Sequence, residues 1–81
     1  MNKLNALKNK LLTALYMENA PVVLNEKKFY SIKYKKVLTK YKVRVTDPET
    51  HKSETTLSTY SLAEVVQHLA ALYREVKEDA G

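Results

Sequence analysis

Between Lys27 and Thr46 apolar or aromatic residues alternate with cations. Tyr30, Ile32 and Tyr34, then Tyr41, Val43 and Val45, take every second position, with Lys33, Lys35, Lys40, Lys42 and Arg44 among the residues between them. A period of two belongs to a β-strand with one apolar face and one wet face. The pattern predicts strands over Phe29–Lys36 and Lys40–Thr46, joined through a four-residue loop at Lys36–Thr39. In that register Tyr34 lies opposite Tyr41, Ile32 opposite Val43 and Tyr30 opposite Val45. An odd-length loop would swing the lysines into the core. A two-residue loop at Val37–Leu38 would demand positive φ of branched side chains.

Helical periodicity flanks this segment on both sides. Over Lys3–Asn19, residues Leu4, Leu7, Leu11, Ala14 and Leu15 recur at three-and-four spacing on one face, and Leu12 widens the stripe. Asn2 suits the N-cap, and Pro21 disfavours helical geometry at Ala20, ending the helix near Asn19. The stripe is expected to pack on the sheet; the alternative is a narrow seam against a second copy of the chain. The second helix opens with Ser61-Leu62-Ala63-Glu64, a capping box, with Tyr60 and Val65 placed as its hydrophobic staple. Leu62, Val65, Val66, Leu69, Leu72, Tyr73 and Val76 share one face, and the end frays at Asp79–Gly81.

Between the helices, Val22–Leu24 reads as a short extra strand before a polar turn at Asn25–Lys28. Asp47–His51 is a turn, with Pro48 at its first corner and His51 where glycine would usually supply a left-handed conformation. A last strand covers Ser53–Thr59, and keeping Leu57 on the apolar face beside Val43 requires a bulge or an odd loop. The result is an α+β chain of α-β-β-β-α order, a single domain over residues 1–81. It is expected to fold in two layers, both helices on the apolar face of an antiparallel sheet and the other face left to solvent.

At 81 residues such a chain buries about 60–65% of its unfolded surface, a thin margin. Its 44% hydrophobic content argues against disorder. The absence of cysteine excludes disulfides and thiolate metal sites. No apolar run approaches the roughly 18–20 residues of a membrane span, so a cytoplasmic location without a membrane partner is expected. Lys3, Lys8 and Lys10 precede an interrupted apolar stretch, which reads as a helix of the mature protein rather than a signal peptide.

Charge changes the picture more by its place than by its total of +5. Lys27, Lys28, Lys33, Lys35, Lys36, Lys40, Lys42 and Arg44 fall in a stretch that contains no acidic residue. In the expected register Lys35 faces Lys40, Lys33 faces Lys42, and Arg44 lies opposite Ser31. Like charges across a strand pair cost roughly 0.2–1 kcal/mol. Long side chains and salt soften that cost, and an anionic partner removes it. Tyr30, Tyr34 and Tyr41 alternate out of phase with the lysines and are expected under the helices, not stacked on bases; Tyr16 and Tyr60 are less constrained.

Chemistry beyond charge is sparse. The one glycine is terminal, so no phosphate-cradling loop exists. His51 and His68, in a turn and on a helix, make neither a catalytic pair nor a zinc site. The element order is shared with the double-stranded-RNA-binding domain as topology alone. That family places lysines at the start of its second helix, where this chain has Leu62, Ala63 and Glu64, which argues against that mode of docking. The expectation is a non-enzymatic binding module without cofactor or metal, meeting nucleic acid through the basic outer face of its sheet. Lys33, Lys35, Lys40, Lys42 and Arg44 would neutralise phosphates, with Lys27, Lys28 and Lys36 in support. The alternative is an interaction or inhibitor domain whose lysines meet an acidic surface or a nucleic-acid-binding protein. Either is expected as a monomer or weak homodimer.

Overall fold

A computed structural model describes residues 3–20, 22–47 and 49–80, with side chains to residue 78. The elements run α1 (Lys3–Met17), β1 (Val22–Ser31), β2 (Lys36–Thr46), β3 (Ser53–Thr59) and α2 (Leu62–Ala80). The strands form one antiparallel sheet in the order β1-β2-β3. This is the expected α+β order.

The end of α1 is a Schellman motif. Asn19 takes φ 59°, its amide bonds the Tyr16 carbonyl at 3.1 Å, and the Ala20 amide bonds that of Leu15 at 3.0 Å. Ala20 and Leu15 both belong to the core, supplying the apolar contact that accompanies this cap. The expectations resting on Asn2 and Pro21 lie outside the described residues. Leu15 is fully buried and Leu11 and Leu12 pack beside it, whereas Leu7 is 46% exposed. The stripe therefore enters this chain's own core through its C-terminal half, and it lies more on α2 than on the sheet.

Leu15, Val43, Val65 and Leu69 form the centre of that core, with Val22, Leu24, Tyr41, Leu57, Leu72 and Tyr73 packed around them. Lys77 of α2 reaches Glu18 at 2.6 Å and ties the two helices together near the end of α1.

The β1–β2 register departs from expectation. Val22 pairs with Val45, Leu24 with Val43, Phe29 with Leu38 and Ser31 with Lys36. The turn is Ile32–Lys35, not Lys36–Thr39, and Asn25–Lys28 is strand rather than turn. Val22–Leu24 is thus the start of β1, not a separate strand. The reason is the length of the ladder: ending β1 at Ser31 lets Val22–Ser31 pair throughout and seats Leu24 opposite Val43, over the helices. Its local cost is a left-handed Lys35, φ 53°, of about 1–2 kcal/mol. The Ser31 hydroxyl offsets part of this by accepting the Tyr34 amide at 3.2 Å.

Between β2 and β3 the expected bulge is present. Val43 pairs with Leu57 but Arg44 with Thr55, which leaves Thr56 as the extra residue. Thr56 turns its hydroxyl to the Val43 carbonyl at 3.4 Å and to His68 Nε2 at 2.8 Å. The preceding turn folds around Asp47, whose carboxylate accepts the Glu49 amide at 2.8 Å. His51 adopts the expected left-handed conformation, φ 61°; the role assigned to Pro48 lies outside the described residues.

The α2 cap is a relayed version of the expected box. Ser61 Oγ accepts the Glu64 amide at 3.4 Å. Glu64 does not reach straight back: its carboxylate accepts the Thr59 hydroxyl, and Thr59 Oγ1 accepts the Ser61 amide at 3.1 Å. The expected staple is not made, because Val65 is buried while Tyr60 packs against Phe29 instead. Ser61→Ala is expected to cost about 1 kcal/mol, read in thermal denaturation as a fall of roughly 4–8 °C. An unchanged melting temperature would mean that Thr59 and Glu64 suffice to cap the helix. The helix itself continues to Ala80 instead of fraying at Asp79.

The molecule is flat and elongated, 47 × 30 × 14 Å between Cα extremes, with a radius of gyration of 14.0 Å. A compact chain of this length would have roughly 12 Å. Its 6320 Å² of accessible surface likewise exceeds the roughly 5000 Å² expected for its mass. Part of the excess lies in the far half of the β1–β2 hairpin, where apolar side chains stay exposed. Tyr30 is 62% exposed there and Ile32 is 85% exposed.

Candidate nucleic-acid interface

Pleating assigns each strand residue to a face. Leu24, Tyr41, Val43, Leu57 and Thr59 face the helices, so Val23, Asn25, Lys27, Phe29 and Ser31 of β1 face outward. Opposite them on β2 stand Arg44, Lys42, Lys40, Leu38 and Lys36. Four rows of the outer face carry a cation: Val23–Arg44–Thr55, Asn25–Lys42–Ser58, Lys27 directly opposite Lys40, and Ser31 opposite Lys36. Asn25, Lys27, Lys40 and Lys42 line one shallow depression.

Of the sequence-predicted site residues, Lys27, Lys36, Lys40, Lys42 and Arg44 share this face. Three do not belong to its rows. Lys33 and Lys35 sit in the hairpin turn, because β1 ends before them, and so face neither Lys42 nor Lys40. Lys28 stands opposite Thr39 on the helix-facing side. The like-charge pair is Lys27–Lys40, and Arg44 lies opposite Val23 rather than Ser31.

Carboxylates are kept off the outer face. Glu26 is in phase with Leu24 and bonds Lys8 of α1 at 2.7 Å. Glu54 stands opposite Val45, in phase with the core. Among the described residues, no Asp or Glu of the three strands shares the cationic face. The ion pairs lie in the helix layer. There the hydrogen bond to Glu18, more than its Coulombic attraction, raises the pKa of the Lys77 ammonium above the usual lysine value.

Two tyrosines expected in the core are not there. Tyr34 is 59% exposed at the turn, and Tyr30 is exposed on β1; of the three, only Tyr41 packs against the core. Sequence reasoning also missed an aromatic cluster at the turn end of the outer face. Phe29 and Leu38 stand opposite each other, and the Tyr60 ring meets Phe29 edge-on, centroids 6.1 Å apart at 64°. With Tyr34, Lys33 and Lys36 they line a second depression. The Lys40 ammonium lies 5.8 Å from the Tyr60 centroid and that of Lys33 lies 5.4 Å from Tyr34, contacts worth about 0.5–1 kcal/mol at exposed sites. The signal was available: Phe29 and Leu38 are in phase with the lysines, not with Tyr41 and Val43.

Among the described residues, no three His, Asp or Glu side chains gather as metal ligands, and no helix is long and apolar enough to cross a membrane. No protein-family model, curated protein or solved structure matches the chain. The site is therefore read from its own chemistry.

Proposed function

We propose that this protein is a non-enzymatic module that binds nucleic acid through the outer face of its sheet. One observation carries the reading: Lys27, Lys36, Lys40, Lys42 and Arg44 share a face that holds no carboxylate among the described strand residues. A face built only for solubility gains by alternating signs across strands; Lys27 opposite Lys40 forgoes that gain. A polyanion restores it by neutralising both. Four of these five cations are lysines, point charges without the planar fork that reads base edges. They hold phosphates, so affinity depends weakly on sequence.

Salt tests this directly. With about four or five phosphates neutralised, the log of duplex affinity should fall against the log of salt with a slope of roughly −3 to −5. A labelled duplex and a labelled single strand, titrated at several salt concentrations, supply the measurement. Undetectable binding to both at low salt would remove the reading. A pull-down partner that survives nuclease would give the same lysines carboxylates to meet instead.

A further inference from the structure

The ring cluster at the turn end shares the cations' face and is joined to them through Lys40, whose ammonium lies over Tyr60. Neither helix covers it. Tyr60 is 56% exposed, and the edge-on contact with Phe29 sets the two rings at an angle. Leu38 stands opposite Phe29 on the neighbouring strand, and Lys33, Lys36 and Tyr34 complete the rim. Aromatic faces bordered by cations match the two parts of an unpaired nucleotide, a flat base and a phosphate.

We infer that this depression takes the unstacked bases of a single-stranded nucleic acid, while Lys33, Lys36 and Lys40 hold phosphates of the same strand. The inference rests on the basic-face reading above and adds the strand class to it. A duplex keeps its bases stacked inside and offers the rings nothing, whereas a single strand presents a π-face at every position. Lysine over an exposed ring is a weaker contact than a stacked base. An arriving base displaces the Lys33 and Lys40 ammoniums from Tyr34 and Tyr60 toward neighbouring phosphates. Stacking accepts every base, so the preference is for strandedness, with little for sequence.

The test compares strands of equal charge. Fluorescence anisotropy would measure binding to a labelled strand of about twelve thymidines, against an abasic strand of the same length that keeps the phosphates and lacks the bases. The thymidine strand should bind about tenfold tighter or more. Tyr34→Leu combined with Tyr60→Leu should shrink that difference severalfold, by weakening the thymidine strand more than the abasic one. The chain has no tryptophan, so quenching of tyrosine emission on addition of the thymidine strand, but not the abasic one, is a readout that needs no variant. Equal affinity of the wild-type protein for the two strands overturns the inference and leaves the basic-face reading standing. Binding to neither strand overturns both. Should the double variant fail to fold, the wild-type comparison and the quenching decide alone.

Discussion

Leu69→Ala is expected to lower stability by about 2–5 kcal/mol, through lost burial and the cavity left behind. Leu69 sits at the middle of α2 with no exposed surface, one of only four such apolar side chains among the described residues. It belongs to one cluster with Leu15 of α1, Val65 of α2 and Val43 of the central strand, so all layers meet there. A domain of this length has roughly 4–12 kcal/mol in total, and the excess of accessible surface places it in a structure that buries comparatively little. The single truncation removes a large share of that margin. Thermal circular dichroism should show the transition lowered on the order of 10–30 °C. A melting temperature equal to that of the parent would show that the helix layer does not depend on this face of α2.

The second large effect is on binding. Replacing Lys27, Lys40, Lys42 and Arg44 together with glutamine clears every cationic row but that of Lys36 and leaves every core contact in place. Each neutralised phosphate contributes roughly 0.9 to the salt slope, so losing four weakens duplex binding on the order of a thousandfold near 0.1 M salt and flattens the slope. Stability should hold or rise slightly, because the Lys27–Lys40 repulsion is relieved. Lys28→Gln, on the helix-facing side, is the matched control and should move binding little. Were Lys28→Gln to weaken binding as much as the loss of an outer-face lysine, the contact surface would have to wrap the edge of β1. If the fourfold variant unfolded, those cations would be holding the fold together rather than waiting for a partner.

Both expectations draw on sequence and tertiary structure in different proportions. The outward direction of Lys40, Lys42 and Arg44 was legible at once, because pleating fixes the face of every residue relative to its neighbour. That face survived an incorrect turn. Moving the hairpin loop from Lys36–Thr39 to Ile32–Lys35 displaces the pairing by an even number of positions, and an even shift leaves each paired side chain on its own side. The same shift decided which lysines share the cationic rows: Lys33 and Lys35 left the ladder, and Lys27 took the place opposite Lys40. The signals at the Ser61 cap, at His51 and at the bulge were equally local, since capping, positive φ and strand phase are settled within a few residues.

Only the tertiary structure settled the rest, because each remaining choice balanced distant segments against one another. The turn went where a long ladder and the seating of Leu24 against Val43 outweighed a left-handed lysine. The α1 stripe found α2 as its main cover, a choice between apolar surfaces that periodicity alone does not rank. Tyr60 was drawn from the expected staple to Phe29 by a strand on the far side of the sheet. Phase alone placed Phe29 and Leu38 among the lysines. What made an aromatic site of them was the third strand delivering Tyr60 and the turn delivering Tyr34, and no local pattern records a meeting of segments so far apart in the chain.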